Sequence, residues 1–138
     1  MKREVGQTKD TGFQFGIRRT FPVSQEVAWD FLFSGRGIEI WLGILEEDLE
    51  VKKQFCTTNG ISGFVRVLTP YSHIRLNWKK SNWDNLSTLQ IRVLDAHHNT
   101  TISIHQEKLL NALQRLEMKA YWNEVMKKLE IALKAFQQ

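Results

Sequence analysis

Side chains that transfer protons or act as nucleophiles are few in this chain of 138 residues. Histidine is the commonest general acid or base at neutral pH, but the four histidines do not assemble into a site. His97 and His98 lie in a predicted turn, His73 begins a predicted strand, and His105 falls on the outward face of another. We therefore predict no catalytic residue in this protein.

The sequence also lacks the patterns that hold metals and phosphates. Cys56 is the single cysteine, so no intramolecular disulfide can form, and we interpret it as a structural thiol. There is no His-x-x-x-His pair, no glycine-rich phosphate loop and no Gly-x-Ser-x-Gly motif. We expect no metal and no cofactor.

Composition limits the class of protein further. An apolar content of 42% and a charged content of 25% are ordinary for a globular domain. The net charge is +4, but the longest basic run is two residues, so we predict no nucleic-acid partner. No apolar run reaches the ~18 residues that span a bilayer, and the first residues lack a secretory signal, which predicts no membrane insertion and a cytoplasmic protein.

The elements that must position any site begin with a long amphipathic helix in the last thirty residues. Asn111 and Gln114 have the spacing of a capping box at its start. Leu109, Leu113 and Leu116 lie out of phase with the main stripe, which indicates either a bend or separate short helix, or a lid or partner surface. The apolar stripe recurs in steps of four and three residues at Met118, Trp122, Val125, Leu129, Ala132 and Phe136.

Upstream of this helix the apolar residues alternate, as in strands that bury one face. Ser24 is a suitable N-cap for the first of two short helices, which follow the first strand and cover about 27–32 and 38–45. We expect residues 1–12 to be flexible and residues 13–138 to form a single domain. Six strands are predicted, over 13–21, 49–55, 61–68, 74–79, 86–94 and 100–106.

Four segments in this order carry a family resemblance. They are IRRTFPVSQEVAWDFL at 17–32, IWLG at 40–43, GFVRVLTP at 63–70 continuing to LNW at 76–78, and Tyr121-Trp122 followed by spaced leucines. The arrangement resembles the START/Bet v 1-like (SRPBCC) superfamily, in the branch of homologues of the heat-shock-protein-90 ATPase activator. Tyr121 departs from a frequent glycine and Gln106 from a common histidine, and the match is weak over 46–58.

The resemblance implies an α+β helix-grip fold, with a curved antiparallel sheet of about six strands around the long helix. It also implies a cavity between that sheet and the helix for apolar or aromatic ligands, although the same residues would equally build a solid core. An inward Arg19 requires an acidic partner or a ligand anion. The predicted ligand-binding residues are Arg19, Phe31, Trp41, Val65, Val67, Leu76, Trp78, Ile91, Ile104, Gln106, Trp122 and Met126.

We therefore predict non-catalytic binding of a small apolar or aromatic molecule, with Arg19 and Gln106 orienting a polar end. A protein that acts through its surface, such as a co-chaperone-like stress-response factor, is the alternative. A second alternative is an enzyme of the cyclase or hydrolase type within the superfamily. Beyond the small molecule we expect at most a protein partner, and a monomer or weak homodimer.

Overall fold

The computed structural model describes residues 7–8 and 12–136. The strands are β1 (Gln7–Thr8), β2 (Gly12–Phe21), β3 (Gln54–Cys56), β4 (Ile61–Thr69), β5 (His73–Lys80), β6 (Ser87–Ala96) and β7 (Asn99–Leu109). The helices are α1 (Gln25–Leu32), α2 (Gly35–Trp41) and α3 (Ala112–Phe136). The strands form one antiparallel sheet in the order β1-β2-β7-β6-β5-β4-β3.

This architecture confirms the predicted helix-grip fold, in which a curved sheet packs around a long C-terminal helix. The additional strand β1 pairs with the start of β2, Gln7 opposite Phe13. The rest of the flexible segment predicted for residues 1–12, apart from Gly12, lies outside the described residues. No helix in the part of the chain that the structure describes is long and apolar enough to cross a bilayer.

Serine caps begin both short helices. The Ser24 hydroxyl accepts a hydrogen bond from the Val27 amide at 3.1 Å, as predicted. Helix α2 begins earlier than expected, at Gly35, because the Ser34 hydroxyl accepts from the Gly37 amide at 3.1 Å. The residues between the two predicted helices, Ser34 to Gly37, are therefore the cap and first turn of α2.

Helix α3 is continuous from residue 112 to residue 136. The Asn111 side chain accepts from the Gln114 amide at 2.9 Å, while the Gln114 side chain accepts from the Leu110 amide instead of that of Asn111. Leu109 ends β7 and is buried, whereas Leu113 and Leu116 are exposed on the continuous α3, so a separate short helix packed elsewhere is wrong. The stripe residues Met118, Trp122, Val125, Leu129 and Ala132 are all buried, and the side chain of Phe136 lies outside what the structure describes.

Two features near β4 differ from the predicted alternation. Strand β3 is shorter than expected, because Lys52 adopts a φ of 65° and its amide leaves the strand path to donate to the Val65 carbonyl at 2.7 Å. A register shift between Val65 and Val67 then places Val67 opposite Arg75. Val67 is 40% exposed, so its predicted place in the interior is wrong.

Candidate functional site

The interior between the sheet and α3 is where the sequence placed the ligand. Apart from Arg19 and Val67, every predicted ligand-binding residue is at most 1% exposed. Apart from Gln106, these side chains belong to one continuous apolar cluster that includes the stripe of α3. The structure therefore brings these predicted residues together in a packed core.

The buried polar atoms of the interior bind mainly to one another. The Trp122 indole donates to the Gln106 side-chain oxygen at 2.8 Å, and the Gln106 amide donates to the Ser87 hydroxyl at 2.9 Å. That hydroxyl donates to the Trp78 carbonyl at 2.5 Å. Gln106 thus links α3 to β6 and β5, and its side-chain oxygen and nitrogen are both hydrogen-bonded to protein groups.

A second set of hydrogen bonds ties the helices to one another. The Tyr121 hydroxyl donates to the Trp41 carbonyl at 2.7 Å, and the Trp41 indole donates to the Leu32 carbonyl at 2.8 Å. Burial raises the pKa of Tyr121 to about 12, because the charged phenolate would lose its hydration. Among the described residues, the Trp78 indole nitrogen is buried without a hydrogen-bond partner.

Arg19 lies at the edge of this interior. Its guanidinium is 3.4 Å from the Glu130 carboxylate of α3, and both side chains are partly exposed. The acidic partner required by an inward arginine is therefore present in the chain itself. Beside this pair, a cavity of about 290 Å³ lies between β2 and α3, against Phe21 and Leu133.

The more open apolar region lies beside the two short helices, and we call it the α1–α2 groove. It consists of two adjoining cavities of about 360 and 380 Å³, both lined by Phe33, Ile38 and Asp48. The larger cavity continues to Trp29, Leu49, Leu68 and Pro70. The smaller one continues to Gly35, Glu39, Gly43, Ile44 and Leu45.

The wall of the groove is an aromatic series held by the turn between the helices. The rings of Trp29 and Phe33 are 4.4 Å apart, and Phe33 is 6.0 Å from the ring of Trp41. The Ser34 hydroxyl donates to the Phe31 carbonyl at 2.6 Å, which fixes this turn. Gly37 permits the close crossing, because a Cβ there would overlap the Phe31 carbonyl.

The opposite side of the groove is the segment that follows α2. Its backbone is anchored to the edge of the sheet, where the Thr58 amide donates to Ile44 at 2.9 Å and the Glu46 amide to Cys56 at 3.2 Å. Gly43, with a φ of 139°, allows the chain to turn there. The groove is thus held by backbone hydrogen bonds at one rim and by a helix cap at the other.

At the far end of the groove, Tyr71 supports Trp29. Its ring lies 6.0 Å from that of Trp29, and its hydroxyl donates to Asp30 at 2.8 Å. This hydrogen bond to a carboxylate raises the pKa of Tyr71. The side-chain amide of Gln25 donates to the Tyr71 carbonyl at 2.9 Å, which joins α1 to the β4–β5 turn.

The four histidines are not among the residues that line the groove. His97 and His98 form the exposed β6–β7 turn, as predicted. His105 is on the outward face of β7, with its Nε2 2.9 Å from the Gln14 side chain. The pKa of His73 is lowered by burial and by Arg92.

Cys56 is exposed, and its thiol donates to the Glu46 carboxylate at 2.9 Å. That hydrogen bond raises its pKa, which opposes the thiolate form that a nucleophile needs. Within the described residues, no group of three or more metal-binding side chains comes together.

The groove was not among the sites predicted from the sequence. The signal was present as Trp29 and Phe33, which are four residues apart and therefore lie on one face of α1 and its end. Leu49 and Leu68 carried no comparable signal, because their position depends on the irregular pairing around Lys52 and on the register shift in β4.

The fold and this arrangement of helices define a helix-grip protein. A sequence-family comparison gives the particular branch: the family described as activator of Hsp90 ATPase homolog 1-like protein matches residues 22–134, and the chain belongs to this family. A comparison with curated protein sequences found no significant match.

Solved structures support the same fold. The chain is similar to CalU16 from Micromonospora echinospora, with a TM-score of 0.79 and 16% identity over 91% of this chain and 80% of that one. An Hsp90 activator from Plasmodium falciparum has a TM-score of 0.72 and 19% identity, over 89% and 97% of the two chains. DynU16, from the dynemicin biosynthetic locus, has a TM-score of 0.79 and 13% identity over 88% of this chain, which spans 47% of its length.

Proposed function

We propose that this protein binds a small apolar or aromatic molecule, without catalysing a reaction, in the α1–α2 groove. The proposal is supported by the difference in unfilled volume between the groove and the sheet–helix interior. The groove offers two adjoining cavities of about 360 and 380 Å³. The interior around Trp78 and Trp122 is filled by its own side chains, its buried glutamine is already paired, and the cavity at its edge beside Arg19 is smaller, about 290 Å³. Small-molecule sites are concave and mostly apolar, with few polar groups.

The location of the ligand differs from the one that the sequence suggested. A molecule seated between Trp78 and Trp122 would have to displace fully buried rings and break the hydrogen bond between Trp122 and Gln106. A molecule in the groove would lie against Phe33 and the exposed part of Trp29, which line it, without disturbing a buried hydrogen bond. Burying apolar surface at a ready-made site costs less reorganisation than opening a packed core.

Nile red, a neutral dye that fluoresces in apolar surroundings, tests this proposal. We expect saturable binding to the protein, loss of that binding in Ile38→Glu, and no change in Leu113→Glu. Ile38 lines both cavities, whereas Leu113 is an exposed leucine on α3 and serves as the matched control. Absence of saturable binding, or its loss in Leu113→Glu alone, would contradict the proposal. Circular dichroism checks that both variants are folded.

A second candidate function is interaction with a protein partner. It is favoured by the exposed leucines at the start of α3, of which Leu113 is 75% and Leu116 is 57% exposed. The structurally similar Plasmodium protein is described as an Hsp90 activator, which suggests the chaperone as the first partner to try. Titration into Hsp90 with its ATPase rate as readout is the test. An unchanged rate at saturating protein would reject this candidate.

A further inference from the structure

We propose that the ligand of the α1–α2 groove carries a positive charge beside its apolar or aromatic body. This inference rests on the proposed function and concerns the chemical class of the ligand. Among the residues lining the two cavities, the ionisable side chains are Glu39 and Asp48, and both are carboxylates. The protein as a whole has a net charge of +4, so the negative charge of the groove lining is opposite to that of the whole protein.

Neighbouring cations do not neutralise these carboxylates. Arg36, the basic residue of α2, lines a different cavity together with Lys128 of α3. Lys53, which follows the segment that forms the groove rim, is paired with Glu50 at 2.5 Å. Within the described part of the chain, neither Glu39 nor Asp48 has an ion-pair partner.

The aromatic residues of the groove also favour a positively charged ligand. Trp29 and Phe33 lie 4.4 Å apart along the larger cavity, and Asp48 lines that cavity with them. The negative faces of aromatic rings attract cations, and tryptophan attracts them most strongly. The carboxylate and the rings line one cavity, so an organic cation bound there would have an anionic and an aromatic neighbour.

A metal ion does not suit this arrangement. Hard divalent cations need about six oxygen ligands in a compact shell. No cluster of three or more metal-binding side chains occurs in the described residues, and the remaining walls of the groove are apolar. Two carboxylates beside aromatic rings instead suit a bulky, weakly hydrated cation such as a substituted ammonium group.

Three probes with one apolar body and different charges test the inference. They are 4-tert-butylbenzylamine, which is cationic at pH 7, the neutral 4-tert-butylbenzyl alcohol and the anionic 4-tert-butylbenzoate. Ring and carboxylate contacts at partly exposed sites each give a gain of about twofold to fivefold. We therefore expect calorimetry to give an affinity for the amine about fivefold to tenfold above that for the alcohol, with the benzoate weakest.

The variant Asp48→Asn/Glu39→Gln keeps the shape of the side chains and removes their charge. We expect the advantage of the amine over the alcohol to fall to the share contributed by the rings, about twofold, while the affinity for the alcohol stays within about twofold. Glu124→Gln, an exposed carboxylate on α3 paired with Lys127, is the matched control and should change neither affinity.

The outcomes separate the two proposals. If the alcohol binds wild-type protein as tightly as the amine, or if the double variant keeps the advantage of the amine, the charge inference is wrong and the proposed function stands. If none of the three probes binds, the proposed function itself fails and the charge inference fails with it.

Discussion

The sheet–helix interior and the α1–α2 groove are both rich in tryptophan and phenylalanine, yet they differ in how their polar atoms are used. In the interior, Gln106 joins Trp122 to Ser87 through two buried hydrogen bonds. In the groove, the polar side chains Asp48 and Glu39 are exposed at the rim. Aromatic content is therefore similar in the two regions, whereas the polar side chains differ: Gln106 is buried and hydrogen-bonded within the protein, and the two groove carboxylates are exposed.

The largest effect should come from opening the interior. We expect Trp122→Ala to lower the free energy of unfolding by about 3–5 kcal/mol, because it removes a fully buried ring and leaves Gln106 without its donor. Urea denaturation measures this change. A loss below about 1 kcal/mol would mean that the interior contains free space, and the contrast with the groove would fail.

Alkaline pH should weaken the contact between α3 and α2. Tyr121 has its pKa raised from 10.0 to about 12, so the folded state holds its proton after the unfolded state has lost it. The resulting stability is complete below pH 10 and is lost as the pH rises to about 12, by roughly 2–3 kcal/mol. Wild type should lose more stability between pH 9 and pH 11 than Tyr121→Phe. Equal losses would contradict the burial of this hydroxyl.

The buried polar network itself is the next target. We expect Gln106→Leu to destabilise the protein by about 2 kcal/mol, because the Trp122 indole and the Ser87 hydroxyl lose partners while remaining buried. Ser103→Ala, on the outward face of β7, is a control that should change stability by less than about 0.5 kcal/mol. Both values come from urea denaturation. A stabilising effect of Gln106→Leu would argue against a structural role for the network.

A substitution in the groove should lower the affinity for the ligand more than it lowers stability. Phe33 is only half-buried, so Phe33→Ala should cost about 1 kcal/mol of stability. It removes a wall common to both cavities, and we expect the affinity for 4-tert-butylbenzylamine to fall about tenfold. Calorimetry on the folded variant measures this. Unchanged affinity would exclude the groove as the site.

The smallest effect should come from the exposed leucines of α3. Leu116 is 57% exposed, so we expect Leu116→Glu to change the free energy of unfolding by less than about 0.5 kcal/mol. Thermal denaturation of the variant beside wild type checks this. A loss above about 1.5 kcal/mol would mean that Leu116 packs against the protein and is not available to a partner.

Much of the fold could be predicted from local patterns. The stripe of α3 and the alternation in β5, β6 and β7 each report burial on one face, and Ser24 marks the start of α1. The family resemblance predicted how these elements are arranged in space. The local patterns and the family resemblance together predicted the helix-grip fold.

The rest depended on features that alternation does not encode. The positive φ of Lys52 shortened β3, and the register shift after Val65 turned Val67 outward. Whether the interior was full or hollow depended on how tryptophans from different elements meet. The groove depended on long-range placement of residues 44–49 beside α1 and α2, which no local pattern reports.

The indole N–H signals of the tryptophans provide the most direct test of where the ligand binds. Trp29 lines the groove, whereas Trp78 and Trp122 are buried in the interior. In a ¹H–¹⁵N correlation spectrum assigned with single Trp→Phe variants, adding 4-tert-butylbenzylamine should shift the signal of Trp29 and leave those of Trp78 and Trp122 in place. Shifts confined to Trp78 and Trp122 would place the ligand in the interior and contradict the account.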